Sequence, residues 1–368
     1  DDEVPGDTPT TGRSSSVRPR RRRPSPVCWL VLVLVLLPVA ASTFLRSTSG
    51  WVPDGDEAWF ARRTMQDGNT APPLIGMAST ASEQPTQGTN HPGPVELYLV
   101  AGPYALSGWS PVGLAVGTGI VVAVALAAAV VMAWRTAGDR GAVAVGIAIA
   151  MMSTRVSQEW LVRPNNAIMA VAPLLAALIG LWAYTRRDRV GLAVALVASS
   201  FCLQTSLGVL PASGAVLAGC AATWAWHRRH GVRPRPLGRG GRAVVVAVVV
   251  MWLPPIVEMV LRAPGNLTDV GHFLLSQVGL VSREGAYTSV LGLGPAAASM
   301  VLFLTGIPGL DGHDLESTMV ALVTPGDLAL LPSVIGAAVF VASVTWAFRR
   351  GSPALRSLWI VTGPALLV

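Results

Sequence analysis

The chain has 368 residues, of which 52% are hydrophobic and 13% charged, against about 25% charged in an ordinary soluble domain. Its 27 basic and 20 acidic residues leave a formal charge of +7, and every basic residue is arginine. The apolar excess gathers into blocks of membrane-spanning length, which argues against a water-soluble enzyme. The arginines lie between those blocks instead of forming one patch, which argues against a nucleic-acid partner.

Residues 1–26 are rich in Pro, Ser, Thr and Arg and end in Arg20 to Arg23, so they are read as a disordered basic cytoplasmic tail. Residues 27–368 form a single transmembrane domain. Its first block, Val27–Leu45, is longer than a signal-peptide core and reads as a retained spanning helix. Further blocks are Pro111–Trp134, Gly141–Glu159, Asn166–Tyr184, Val190–Leu203, Leu207–Trp226, Ala243–Leu261, Asp327–Phe348 and a run from Leu358. The expected fold is therefore all-α, a polytopic membrane helix bundle of about nine spans. The chain starts without Met and stops inside an apolar run, which reads as a piece of a longer membrane protein.

Alternating these blocks places twenty of the 27 arginines on the side of the basic tail, and the positive-inside rule makes that side the cytoplasm. The block Val290–Gly309 contains Gly292, Gly294 and Pro295 and is followed by Asp311, Asp314 and Glu316. As a full crossing it would move Arg349, Arg350 and Arg356 outside, so it is read as lying on, or re-entering from, the outer face.

Cys28, Cys202 and Cys220 are odd in number and show no metal or redox spacing, so neither a disulfide frame nor a zinc site is expected. Cys28 borders the basic tail and reads first as a membrane-buried thiol, second as a lipidation site. Gly238, Gly240 and Gly241 follow no strand, so they do not make a nucleotide phosphate loop.

The external first loop, 46–110, is 65 residues long, a length that usually means function. It opens with Asp54-Gly55-Asp56-Glu57-Ala58-Trp59-Phe60, acids leading into an amphipathic turn. Asp54 and Asp56 have the oxygen spacing to share a divalent cation, Mg or Mn. The alternative is that Asp54 or Asp56 caps a short interfacial helix, with Trp59 and Phe60 anchoring it among the headgroups. Asn90-His91-Pro92-Gly93-Pro94-Val95-Glu96-Leu97-Tyr98 follows, a rigid corner that feeds a second interfacial helix with a Glu/Tyr face.

At the outer helix ends, Arg155 and Arg163 are candidates for bidentate phosphate contact, beside Glu159 and the Asn165/Asn166 turn. An Arg155/Glu159 ion pair and an Asn165 or Asn166 helix cap are the plain alternatives. Glu258 lies in an apolar span beside Pro254 and Pro255, and so faces a polar cavity or pairs with Arg262 four residues on.

The order of these features resembles the polytopic C-superfamily glycosyltransferases, near the protein mannosyltransferase and aminoarabinose transferase group. The likeness runs through one spanning helix, a loop opening on Asp56-Glu57 and the His91-Pro92-Gly93-Pro94 stretch. It continues through Arg163-Pro164-Asn165-Asn166, Gln204-Thr205-Ser206, Trp252-Leu253-Pro254-Pro255 and Pro264-Gly265-Asn266. The resemblance implies transfer of a sugar from a polyprenyl-phosphate donor to an acceptor glycan, lipid or protein outside the cytoplasm, in the plasma membrane of an actinobacterium-like cell. It implies Asp56 as general base, with Glu57 as the near alternative. It implies His91, Arg155, Arg163, Asn165, Gln204 and Glu258 for donor-phosphate or acceptor binding, although His91 stands where relatives carry lysine. Rival readings are a transporter or lipid-sugar flippase, which an internal repeat would favour, and a non-catalytic envelope scaffold.

Overall fold

The computed structural model describes residues 23–69, 72–79, 89–155, 160–231, 238–277 and 349, with side chains for all but 66–69, 151, 154–155, 160 and 276–277. The tail before 23, the block 290–309 with its acids, and the spans beginning at Asp327 and Leu358 lie outside the described residues. Within them the chain is all-helical, and the only strand-like pairing is one isolated bridge between Ala78 and Asn90.

Helix α1, Pro26–Thr48, starts because the Ser25 hydroxyl accepts the Cys28 N–H and Pro26 is already set for the first turn. Its 23 residues make about 35 Å, enough to cross a bilayer. Cys28, Val31, Leu32, Val35 and Val39 face the protein, while Trp29, Leu30, Val33, Leu34 and Leu37 are exposed. A helix apolar on its outward face as well requires apolar surroundings.

Helix α2 (Gly55–Asn69) and helix α3 (Val95–Leu106) follow, and then α4, Pro111–Arg155. Helix α4 is a hairpin of the two expected spans. Gly138 has φ 66° and ψ −154°, a combination only glycine adopts without strain. A Cβ on Gly141 would sit 2.4 Å from the Ala133 carbonyl oxygen eight residues back, whereas eight residues of straight helix span about 12 Å.

The two arms of α4 pack on α1 in opposite senses. Gly119 of the first arm abuts Thr43 near the end of α1, whereas Asp139 at the bend accepts the Ser25 hydroxyl at its start, and Gly146 of the second arm meets Val31. Helices α5 (Asn166–Met169), α6 (Val171–Thr185), α7 (Arg189–Thr205), α8 (Leu210–Arg229) and α9 (Arg239–Leu261) continue the alternation, and α10 (Asn266–Gln277) turns off at its end. Gly180 and Gly191 bring α6 and α7 into backbone contact, since a Cβ at Gly180 would lie 2.8 Å from Ala195 N.

Among the described residues, five helices are long and apolar enough to cross a membrane: Pro26–Thr48, Pro111–Ala150, Asn166–Thr185, Leu207–Arg229 and Arg239–Leu261. The alternation collects Ser25, Arg135, Asp139, Asp188 and Arg228 at one end of the bundle. There Arg135 grips Asp188 with two bonds of 2.7 and 3.1 Å, and Tyr184 meets His227 edge-on. The opposite end receives α2, α3, the short 3-10 turns Trp160–Val162 and Leu207–Val209, and the start of α10.

Candidate functional site

At that opposite end, α2 turns Glu57, Phe60, Ala61 and Thr64 inward and leaves Asp54, Asp56 and Trp59 exposed. Phe60 is therefore core, and only Trp59, 62% exposed with Arg62 beside its ring, remains on the surface as the sequence led one to expect of both. The Asp54 backbone carbonyl accepts the Glu57 and Ala58 N–H groups, so the main chain opens the helix.

The two adjacent acids live in different worlds. Glu57 is 1% exposed, and its Oε1 accepts from Arg46 Nη2 at 3.1 Å and from Arg163 Nε at 2.5 Å. Its Oε2 accepts the Trp51 indole N–H at 3.1 Å, and the Arg46 guanidinium lies over that indole ring, 4.2 Å from its centre. Asp56, exposed, accepts among the described residues a single 3.3 Å contact, from Asn165 Nδ2. Asn165 has a second task, because its Oδ1 accepts the Ala167 N–H and caps α5. The expected cap and the expected site residue are thus one side chain.

His91 is buried, with Leu207 N–H donating to Nδ1 at 3.1 Å and the Asn166 amide against Nε2. Burial pushes its pKa down to about 4, so the ring is neutral at pH 7. Since Nδ1 accepts, the neutral ring carries its proton on Nε2, and the Asn166 amide accepts that proton through Oδ1 once its oxygen and the Nδ2 now facing the ring are exchanged.

The turn bearing His91 is clasped from the far side of the chain. Asn266 Oδ1 accepts the Asn90 N–H at 2.9 Å, and its Nδ2 donates to the Asn90 and His91 carbonyls, both at 3.2 Å. Glu258, buried, accepts the Asn266 N–H at 3.0 Å, while Arg262 is exposed. The intramembrane acid therefore seats the start of α10. On its inner side the same turn is braced by Gly76 N–H to His91 O and by Gly93 N–H to Gln204 O, both 3.1 Å.

Gln204 is fully buried against Gly93, where a Cβ would fall 2.2 Å from its Oε1. Among the described residues, neither amide atom of Gln204, nor either carboxyl oxygen of Glu96, nor the Thr205 hydroxyl has a hydrogen-bond partner, and all three residues are 0% exposed. The expected polar face shared by Glu96 and Tyr98 is split: Glu96 points inward and Tyr98 outward, its hydroxyl on the Pro73 carbonyl. Burial raises the Glu96 pKa well above the usual carboxylate range, which favours its protonated form. Sequence reasoning missed Glu96 as a site residue. The available signal was a lone acid at the head of an apolar twelve-residue helix.

The fold thus joins Asp56, Glu57, Arg163 and Asn165 in one cluster and His91, Gln204 and Glu258 around a second, bridged by the neighbours Asn165 and Asn166. The Arg155 side chain lies outside the described residues, as does Glu159. Among the described residues no three His, Cys, Asp or Glu side chains converge as metal ligands, and Asp54 and Asp56, the expected cation pair, are both exposed.

No family model, curated protein or solved structure matches this chain.

Proposed function

We propose that the protein is a polytopic membrane glycosyltransferase that moves a sugar from a polyprenyl-phosphate donor to an extracytoplasmic acceptor. In this reading the chain crosses the plasma membrane about nine times with its Asp56–Glu57 end outside, and the positive-inside rule supports that orientation because most arginines lie toward the other end. The observation that carries this reading is the unequal treatment of two neighbouring carboxylates. Glu57 is locked by Arg46, Arg163 and Trp51, while Asp56 stays exposed and touches an amide.

An exposed carboxylate held beside a locked neighbour suits general-base work. Asp56 takes the proton of the acceptor hydroxyl as its oxygen bonds to the anomeric carbon. The bond from that carbon to the phosphate oxygen breaks, and the electron pair leaves with the polyprenyl phosphate. Arg163, its side chain 31% exposed, offers guanidinium charge to that phosphate beside Glu57. Exposed apolar faces on α1 and α9 give the prenyl tail a lipid-side approach. His91, with both nitrogens engaged inside the protein, positions the turn instead of meeting phosphate.

The test is transfer of labelled sugar from polyprenyl-phosphate mannose or arabinose by purified protein, with and without chelator. Asp56→Asn abolishes transfer and leaves the melting temperature unchanged; near-normal turnover by that variant overturns the reading. Labelled lipid crossing liposomes without bond cleavage supports a flippase in its place.

A further inference from the structure

The buried Glu96, Gln204 and Thr205 side chains present five polar atoms with no partner among the described residues. An unsatisfied buried polar group lowers stability, so apolar residues at these positions would make a more stable protein. All three belong to helix ends beside one turn. Glu96 is three residues past Gly93, which lies against Gln204 and bonds its carbonyl, and Thr205 follows in the last turn of α7. Val95 and Leu97, which flank Glu96, and Phe201 and Cys202, one turn before Gln204 and Thr205, belong to one apolar core cluster.

The chemistry of the three groups narrows what they meet. A protonated carboxyl and a primary amide each set a donor beside an acceptor, and a hydroxyl is both at once. That pattern suits neighbouring hydroxyls of a neutral ring and suits neither an anion nor a cation, each of which would want one sign of partner throughout.

We propose that Glu96, Gln204 and Thr205 form a buried subsite that receives the hydroxyls of the donor's sugar ring. The subsite rests on the glycosyltransferase reading and adds to it where the sugar, as distinct from the phosphate, is recognised. Access requires the 89–94 turn to lift from α7, and what holds the turn there is mainly hydrogen bonds: Gly93 N–H to Gln204 O, Leu207 N–H to His91, and the Asn266 clasp. A ring entering beneath the turn replaces bonds that are missing in the closed form.

The experiment measures binding of three probes to the purified full chain in nanodiscs: polyprenyl phosphate, polyprenyl-phosphate mannose and polyprenyl-phosphate arabinose. Wild type is expected to bind at least one glycosylated lipid about ten- to a hundredfold more tightly than the bare phosphate, as two or three new hydrogen bonds would give. Glu96→Leu and Gln204→Leu abolish that ratio, leave the affinity for bare polyprenyl phosphate unchanged, and raise the melting temperature because an unpaired polar group is gone. Glu96→Gln, neutral and still donor plus acceptor, keeps the ratio. A ratio that survives both leucine variants overturns the subsite. So does a lower melting point in them, which marks a purely structural role, or a wild type that binds all three lipids alike. Asp56→Asn run alongside separates the two ideas: it retains the ratio without transferring sugar, and if it does transfer sugar the base assignment fails while the subsite stands.

Discussion

Arg163 Nε lies 2.5 Å from Glu57 Oε1 although 106 positions separate the two residues in the chain. That contact ties the loop after α1 to the loop before α5. It also gives the buried carboxylate its second guanidinium, the first being Arg46 at the end of α1. The three elements around Asp56 are thereby fixed to one another by a residue that is not itself exposed.

Removing the Glu57 charge is expected to destabilise the fold more than removing either arginine. Glu57→Gln leaves Arg46, 90% buried, without its carboxylate, and breaking a buried pair costs about 3–5 kcal/mol. Arg163→Gln costs less because water reaches that guanidinium. Thermal denaturation in detergent orders the variants, and equal melting points for Glu57→Gln and wild type would refute the locking role.

Stability should fall toward acid because of His91 and toward alkali because of Glu96. The folded His91 pKa is about 4 against 6.5 unfolded, so between those values the unfolded chain takes a proton that the folded one refuses. The loss accrues as pH drops from 6.5 to 4, reaches about 3 kcal/mol, and then levels off. The folded Glu96 keeps its proton above 4.5 where the unfolded chain releases it, so stability declines as pH rises from there through the raised folded value. Denaturant titrations across pH should lose the acid limb in His91→Gln and the alkaline limb in Glu96→Gln.

Two glycine-to-alanine changes should move stability in opposite directions. At Gly93 the new methyl would lie 2.2 Å from Gln204 Oε1, and pushing the packed turn off α7 costs about 1–3 kcal/mol. At Gly214, within α8, nothing lies within 4 Å, and alanine gains about 0.5–1 kcal/mol from helix propensity. Chemical denaturation of both variants checks the pair.

Asn266→Ala removes three hydrogen bonds from the Asn90–His91 turn at once. Amide exchange at Asn90 and His91 is expected to speed up by roughly tenfold or more, while α1 and α4 are untouched, since a net hydrogen bond is worth about 1 kcal/mol. Unchanged exchange at Asn90 would mean that the clasp is incidental.

The native cysteines are all buried, so single added thiols report topology cleanly. Asp54→Cys and His230→Cys place a thiol at exposed positions on opposite ends of the bundle. An impermeant maleimide added to intact cells should label the first and spare the second; the reverse pattern puts Asp56 in the cytosol and removes the proposed reaction.

The order of the long helices, α1, α4 and α6 to α9, is legible in the chain because blocks of apolar residues longer than any turn have one solution in lipid, the helix, and arginines mark their common end. Gly138 was less so: the sequence shows two blocks with Arg135 and Arg140 between them, and only the backbone shows a single glycine making the bend. The pairing of Asp56 with Glu57 is also readable, but not which acid is buried. That depends on the pitch of α2, which sends Glu57, Phe60, Ala61 and Thr64 to one side.

What the sequence determined by itself is an arginine-bounded helical membrane bundle, together with the residue types gathered at its other end, since hydropathy and charge act locally along the chain. Which of those residues touch was decided only by tertiary packing. Arg46 with Glu57, Asn266 with Asn90 and Gln204 with Gly93 meet across loops and helix ends whose angles no local preference fixes. Glu96 went unrecognised for the same reason, because an acid at the head of a short helix looks solvated until its neighbours close over it.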